Sequence, residues 1–312
     1  MKAIRIERFG GPDVMDYVDI DTPTPREGEV LVKVRAAGVG PWDGWIRSGR
    51  SALVGSGALP VTPGSDIAGS VEAVGPGVGS LSIGDEVYGV TNPRFTGGYA
   101  EFAIASSSML ARRPDSLSYA EAASVPVVAV TALQMLFEHA HLQRGQVVLV
   151  VGASGNVGGF ALQMARAHGA RVVAIGAPGD SDHLRELGAD QVLEVIEGIP
   201  EFAGVELDAV IDTVGGDLQR RCVASLRPGG VLVSAVSALD ERIREQKGVR
   251  SVFFYVDVTT RALEVIARLL DSGKLHTRVG IVMPLTSARC AHDMLEGTGQ
   301  APGGKIVLSV DI

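Results

Sequence analysis

The chain has 312 residues, 46% of them hydrophobic and 21% charged, and a net charge of −8. That composition supplies ample apolar material for a core and for two domains, and the negative charge argues against a nucleic acid or an anionic membrane surface as partner, because both require a basic face. Every apolar run falls short of a membrane span, no basic-then-apolar leader precedes the first strand-like run, and Cys222 and Cys290 stand alone and far apart; a soluble, cytoplasmic protein with reduced thiols is expected.

From Met1 to about Ser118 the chain is rich in Val, Gly and Pro. Short runs at Lys2–Ile6, Glu29–Arg35 and Ser70–Val74 are separated by turn signals such as Gly10-Gly11-Pro12 and Gly75-Pro76-Gly77. This is the pattern of a small, irregular β-barrel. From about Ala120 to Val236, apolar runs alternate with helix-length segments, which predicts βαβ units and a parallel sheet. Its strands are expected at Val147–Val151, Arg171–Gly176, Ala209–Asp212 and Val231–Ala235. Beyond Ser251 the character is mixed: a strand at Val252–Val256, an amphipathic helix at Thr260–Asp271 and a final strand at Lys305–Val310 are predicted.

The most informative stretch begins with the apolar run Val147–Val151, which leads directly into Gly152-Ala153-Ser154-Gly155-Asn156-Val157-Gly158 and then a helix with small residues on one side. One glycine permits the tight strand-to-helix turn. Gly155 lets the backbone approach a pyrophosphate, and Gly158 lets the helix pack against the strand. The pattern from Ala153 to Gly158 is one glycine short of the full fingerprint, and a tight turn in an α/β protein would also produce it. Its place between a strand and a helix, with a second strand following at the right distance, points to dinucleotide binding.

In NAD sites an acid about 20 residues after the glycines takes the ribose hydroxyls. Here the second strand ends in Gly176, followed by Ala177 and Pro178. The missing carboxylate removes a repulsion against a 2′-phosphate and favours NADPH, with NADH not excluded. Asp180 and Asp182 lie close enough to oppose this, and His183 and Arg185 close enough to supply positive charge.

Ordered matches along nearly the whole chain show that it resembles the quinone-oxidoreductase, zeta-crystallin-like branch of the medium-chain dehydrogenases/reductases. They include Pro63–Gly69, Glu72–Val78, Gly84–Gly89, Gly97–Phe102, Ala122–Pro126 with Thr131-Ala132, the glycine loop, Leu187–Asp190, Asp212–Gly216, Leu226–Gly230 and Gly304–Leu308. The resemblance implies an α/β fold, a Rossmann doubly wound parallel sheet plus a GroES-like β-barrel domain. Residues 1–120 would form the first part of the GroES-like catalytic domain, 121–255 the cofactor-binding domain, and 256–312 a return segment completing the catalytic domain. It further implies a homodimer and an active site in the cleft between the domains. Gly152, Ala153, Ser154, Gly155, Asn156, Val157 and Gly158 would hold the pyrophosphate, with Val214 beside the adenosine. Thr131 and the Phe253-Phe254-Tyr255 segment would lie near the nicotinamide, and Lys305, after Gly304, would reach the cofactor from the tail.

A catalytic zinc needs three Cys, His or acidic ligands, and a structural zinc usually four thiolates. Zinc-dependent relatives place a Cys where this chain has Pro41 or Trp42 and Gly-His-Glu where it has Gly64-Ser65-Asp66, and Asp85 to Glu101 contains no Cys. The six histidines (139, 141, 168, 183, 276 and 292) show no ligand spacing and are read as surface residues. No zinc is therefore expected, and with it no Lewis acid to polarise a carbonyl. The implied acceptor is one already activated, a quinone or an α,β-unsaturated carbonyl compound.

The substrate side departs from the family pattern. Gly40 stands where relatives usually have Asn, and Trp45 where many have Tyr. Both tryptophans of the chain fall in Gly40–Gly49, as barrel packing or as an aromatic wall for a flat ring. Trp42, Asp43, Trp45 and Tyr255 are the candidate pocket residues. Asp43 is the one catalytic candidate, although holding the loop by hydrogen bonds suits it better. Ala177, Pro178 and Val195 replace residues that surround the 2′-phosphate and adenosine in relatives. The expected function is an NADPH-dependent quinone or enone reductase. The alternatives are a biosynthetic enoyl reductase acting on a specialised intermediate and a cofactor-binding protein with little catalysis.

Overall fold

The computed structural model describes residues 1–194, 206–297 and 303–310. The chain begins with β1 (Lys2–Ile6), β2 (Met15–Asp19), β3 (Glu29–Val39) and helix α1 (Pro41–Arg47), followed by β4 (Asp66–Val74), β5 (Glu86–Val90), β6 (Phe102–Ser106) and β7 (Leu110–Arg112). Helices α2 (Tyr119–Ala123) and α3 (Pro126–Leu133) and a π-helical segment, Gln134–His139, lead into β8 (Val147–Val151). Next come α4 (Asn156–His168), β9 (Arg171–Gly176), α5 (Ser181–Glu186), β10 (Gln191–Glu194), β11 (Leu207–Asp212) and α6 (Gly216–Cys222). Then β12 (Leu226–Ser234), α7 (Glu241–Lys247), β13 (Arg250–Phe253), α8 (Thr260–Asp271), β14 (Val279–Pro284), α9 (Ala288–Leu295) and β15 (Lys305–Ser309) complete the order.

Two compact units result. The first comprises Met1–Val127, Val258–Gly273 and Thr277–Ile312, and the second Val128–Asp257 and Lys274–His276. The changeover expected after residue 120 falls at Val127, inside α3.

In the first unit, the seven-stranded sheet runs β14-β15-β3-β4-β5-β7, with β6 also paired to β3, and β1 and β2 form a separate antiparallel pair. Strand β3 extends past the expected Arg35 to Val39 because β4, β6 and β15 all hydrogen-bond along it. Val30, Val32, Val34, Ile67, Val87, Leu110, Ile306 and Leu308 fill the core. Helix α8 buries Ala262, Leu263, Ile266 and Leu270, one stripe at helical spacing, and Thr259 caps its first turn by accepting from the Ala262 amide.

The second unit is an all-parallel sheet in the order β10-β9-β8-β11-β12-β13. This is the doubly wound order 3-2-1-4-5-6, whose topological switch point lies between β8 and β11. Strands covered on both faces are apolar throughout, which is why Val147–Val151 and Arg171–Gly176 occur with the bounds the sequence predicts. The strand expected at Val252–Val256 is a correction: β13 ends at Phe253, its last pair with β12 being Ser234 to Phe253, and the Phe254 ring packs on His139.

Candidate active site

The cofactor loop sits at the end of β8. Gly152 has φ +80°, and a Cβ there would lie 2.4 Å from the Thr213 hydroxyl, so only glycine fits the turn. A Cβ on Gly158 would lie 2.2 Å from the Gly152 carbonyl oxygen, which fixes α4 close against the strand end. Gly155, the extended residue preceding α4, is exposed, and a Cβ there would have one neighbour, the Gly152 oxygen at 3.3 Å. The result is an open backbone cradle at the N-terminus of a 13-residue helix, whose first-turn amides have no preceding helical carbonyl. Ala153 is buried, while Ser154, Asn156 and Val157 are half-buried. These residues fit a pyrophosphate.

Beside the cradle, the Ser154 hydroxyl accepts a hydrogen bond from the Ala177 amide at 3.0 Å. A Cβ on Gly176 would lie 2.5 Å from that hydroxyl and 2.5 Å from Leu184 Cδ1. Any side chain at 176 would have to displace the ends of Ser154 and Leu184. Ala177 and Pro178 are exposed, and Asp182 is paired with Arg185 at 3.0 Å. Val195 lies outside the described residues.

Across the switch point, Val214 is 49% exposed, and its loop hangs on Asp212. The fully buried Asp212 carboxylate accepts from the Val214 and Gly215 amides (3.1 and 2.9 Å), from Gln219 Nε2 (3.0 Å) and from the Ser234 hydroxyl (2.7 Å). Sequence reasoning missed this anchor; its signal was an acid closing an otherwise apolar strand. Thr131 is buried on α3. One turn on, Gln134 donates to the Asp257 carbonyl and accepts from its amide, both at 3.1 Å, and so holds the segment that follows β13. Phe253 and Tyr255 meet edge to face, and Tyr255 is 74% exposed.

The remaining candidates cluster in the first unit. Proline at the first position starts α1, and the Gly40 amide donates to Asp43 Oδ2 at 2.8 Å. The Tyr99 hydroxyl donates to the same oxygen at 3.0 Å. Asp43 is fully buried, and its Oδ1 has no hydrogen-bond partner; burial pushes the carboxyl up to about 7. The Trp42 indole N–H donates to the Ser65 hydroxyl at 2.9 Å, and its ring meets Phe95 edge on. Trp45, one turn later, is 48% exposed.

Lys305, expected to reach the cofactor from the tail, lies buried in the first unit. Its side chain is 2% exposed, with Nζ 3.2 Å from Asp66 Oδ2 and 4.5 Å from the centroid of the Trp42 ring. Asp66 Oδ1 accepts from the Val127 amide at 3.1 Å. Burial pushes the Asp66 carboxyl upward, and the Lys305 ammonium opposes that shift. Gly304 is glycine for a local reason: a Cβ would lie 2.6 Å from the Arg278 carbonyl oxygen beside β14.

His292 corrects the reading of the histidines as surface residues. It is fully buried on α9, beside the Tyr99 ring, with Nδ1 3.3 Å from Arg47 Nη1. Arg47 in turn pairs with Glu296. Burial, reinforced by Arg47, lowers the imidazole to about 3. Arg47 therefore donates to a neutral ring.

Among the described residues no group of three or more His, Cys, Asp or Glu side chains could hold a metal ion. Trp42 and Ser65 bond each other, and Asp66 is engaged by Lys305 and Val127, so the residues at the expected zinc positions do not fit that ion. A cleft of about 680 Å³ in the first unit, lined by Arg5, Thr62 and Asn92 among others, contains none of the candidate residues.

Comparison with known proteins agrees with this architecture. The family described as "Alcohol dehydrogenase GroES-like domain" matches residues 26–115, and that described as "Zinc-binding dehydrogenase" matches residues 187–308. The quinone oxidoreductase of Sus scrofa is 33% identical, over 99% of this chain and 98% of the relative. The solved quinone oxidoreductase of Coxiella burnetii has a TM-score of 0.91 at 33% identity, covering 100% of this chain and 99% of that one. That of Escherichia coli, solved in complex with NADPH, has a TM-score of 0.87 at 26% identity, covering 99% and 100%. The chain belongs to the quinone-oxidoreductase, zeta-crystallin-like branch of the medium-chain dehydrogenase/reductase superfamily and is an NAD(P)H-dependent oxidoreductase.

Proposed function

We propose that this protein is an NADPH-dependent reductase that transfers a hydride, without zinc, to a quinone or an α,β-unsaturated carbonyl compound. The observation that carries the reading is the open glycine cradle at the switch point, beside a strand end, Gly176, that carries no acid. Without a carboxylate there, the 2′-phosphate of NADPH meets no repulsion at the end of β9.

Bound nicotinamide supplies the hydride, two electrons and one proton, and a second proton from solvent completes the hydroquinone or saturated product. The chain's own work is binding, orientation and exclusion of water. The cradle from Gly152 to Gly158 takes the pyrophosphate and Val214 the adenosine. Thr131 and the Phe254 segment take the nicotinamide, and Trp42 and Trp45 of the first unit offer flat surfaces to a ring acceptor. At the zinc positions Trp42 and Ser65 bond each other and Asp66 is held by Lys305, which supports an acceptor that is electrophilic without a Lewis acid. Asp43, fully buried and bonded to Gly40 and Tyr99, holds α1 in place instead of delivering the proton.

We further place the protein in the cytoplasm as a homodimer. Among the described residues no helix is long and apolar enough to cross a membrane, and β13 leaves one edge of the parallel sheet open for a second copy. Light scattering on the purified protein tests the dimer.

Fluorescence titration with NADPH and NADH, followed by oxidation of the preferred cofactor against a panel of quinones and enones, tests the activity. NADPH should bind more tightly, and at least one quinone or enone should be turned over. Preference for NADH would overturn the cofactor assignment, absence of turnover across the panel the acceptor class, and stoichiometric zinc in the active protein the zinc-free chemistry.

A further inference from the structure

The departures of this chain around Gly40 and Trp42 and the burial of Lys305 describe one module. The Lys305 ammonium lies between the Asp66 carboxylate, 3.2 Å away, and the Trp42 ring, 4.5 Å from its centroid. A buried ammonium is tolerated only with a charge partner, and an indole face adds the attraction of its quadrupole. Two glycines make the room. A Cβ on Gly38 would lie 3.1 Å from Lys305 Cε and 2.3 Å from the Ala123 oxygen, and a Cβ on Gly40 would lie 2.3 Å from the Trp42 ring. An Asn at position 40 and an indole at position 42 therefore exclude each other in this arrangement.

The contacts also fix how the indole is held. Its N–H points to Ser65, its ring stands steeply to that of Phe95, Gly40 abuts it, and the ammonium sits over the ring. Asp66 is held through both oxygens, by Lys305 and by the amide of Val127 in the first turn of α3. Asp43 and Asp66 both feel this ammonium, and Arg47 acts on the Tyr99 hydroxyl that bonds Asp43.

We propose that Lys305 is a positioning residue, not a cofactor ligand: it sets the pose of the Trp42 indole and, through that ring, the acceptors the enzyme accepts. The second half rests on the acceptor reading proposed above. Trp42 is only half-buried, so a change in its tilt alters the surface offered to a flat ring.

The test uses the full-length Trp45→Phe protein, in which Trp42 is the sole tryptophan. In this background Lys305→Met removes the charge, and the paired change Asp66→Asn with Lys305→Met leaves no buried carboxylate unpaired should the single variant fail to fold. Three quantities are read: Trp42 emission without cofactor and the Kd of NADPH in this background, and, with Trp45 restored, the KM of a quinone or enone. The emission maximum should shift, the NADPH Kd should stay within about twofold, and the acceptor KM should rise about tenfold. A roughly tenfold weaker NADPH Kd would make Lys305 a cofactor ligand after all and overturn the proposal. Unchanged emission in a folded variant would equally overturn it, as would an unchanged acceptor KM. If the protein with Trp45 intact turns over no quinone or enone, the acceptor reading fails by itself, and emission with NADPH affinity still decides whether Lys305 holds Trp42.

Discussion

Replacing Asp43 by Asn, which keeps the shape and can still accept from Gly40 and Tyr99, isolates a buried proton and its effect on stability. Burial raises the Asp43 carboxyl from 3.8 to about 7 in the folded protein. Unfolding therefore releases a proton between those values, and the contribution of Asp43, complete below pH 3.8, is lost as pH rises through 7. At 1.36 kcal/mol per unit the displacement corresponds to about 4 kcal/mol. His292, lowered from 6.5 to about 3, acts in the opposite direction: unfolding takes up a proton there, so stability falls as pH drops from 6.5 towards 3. The same conversion gives about 5 kcal/mol. Between pH 3.8 and 6.5 the slopes of these two groups oppose each other. In Asp43→Asn the Asp43 slope is removed while every other group is kept, so stability should climb with pH relative to the native profile by up to about 1.4 kcal/mol per unit across that window. Urea unfolding followed by tryptophan emission at a series of pH values measures this directly. A variant profile parallel to the native one would refute the reasoning, because it would mean that Asp43 exchanges no proton on unfolding. Asp66, Lys305, Tyr99 and Arg47 face the same cluster, and all are unchanged in this comparison.

Three further outcomes are expected. Ala177→Asp puts a carboxylate at the exposed residue after Gly176, and NADPH affinity should fall about tenfold with NADH affinity preserved, as read by fluorescence titration. Gly158→Ala drives a methyl to 2.2 Å from the Gly152 oxygen; thermal or urea unfolding should show a loss of about 1–3 kcal/mol, with weakened cofactor binding. Asp212→Ala strips four donors of their shared acceptor; a loss of about 3 kcal/mol by urea unfolding is expected, with NADPH bound less tightly.

How much of this was legible beforehand depends on how local the cause is. The strands at Val147 and Arg171 and the helix at Thr260 were readable because continuous apolarity and a 3.6-residue stripe are properties of short windows. The glycine loop was readable because its residues answer one turn and one helix end. Strand β12 begins at Leu226, before the expected Val231, because a partner, Leu207, pairs it there despite Arg227-Pro228-Gly229. The buried His292 and Lys305 defied reading for the same reason. Composition places both types outside, and the groups that admit them, Arg47, Asp66 and Trp42, lie far away in sequence. Gly40 was visible as a departure, but its reason, the indole lying across it, exists only in three dimensions.

The pairing of β15 with β3 has a consequence for biosynthesis. Strand β3 gains that neighbour only when Lys305–Ser309 has left the ribosome, whereas the second unit is almost contiguous, Val128–Asp257. The dinucleotide-binding unit can therefore condense while the first unit still lacks its last strand and the lysine that closes its interior. A nascent chain arrested before residue 303 should carry a protease-resistant second unit beside a still-cleavable first one.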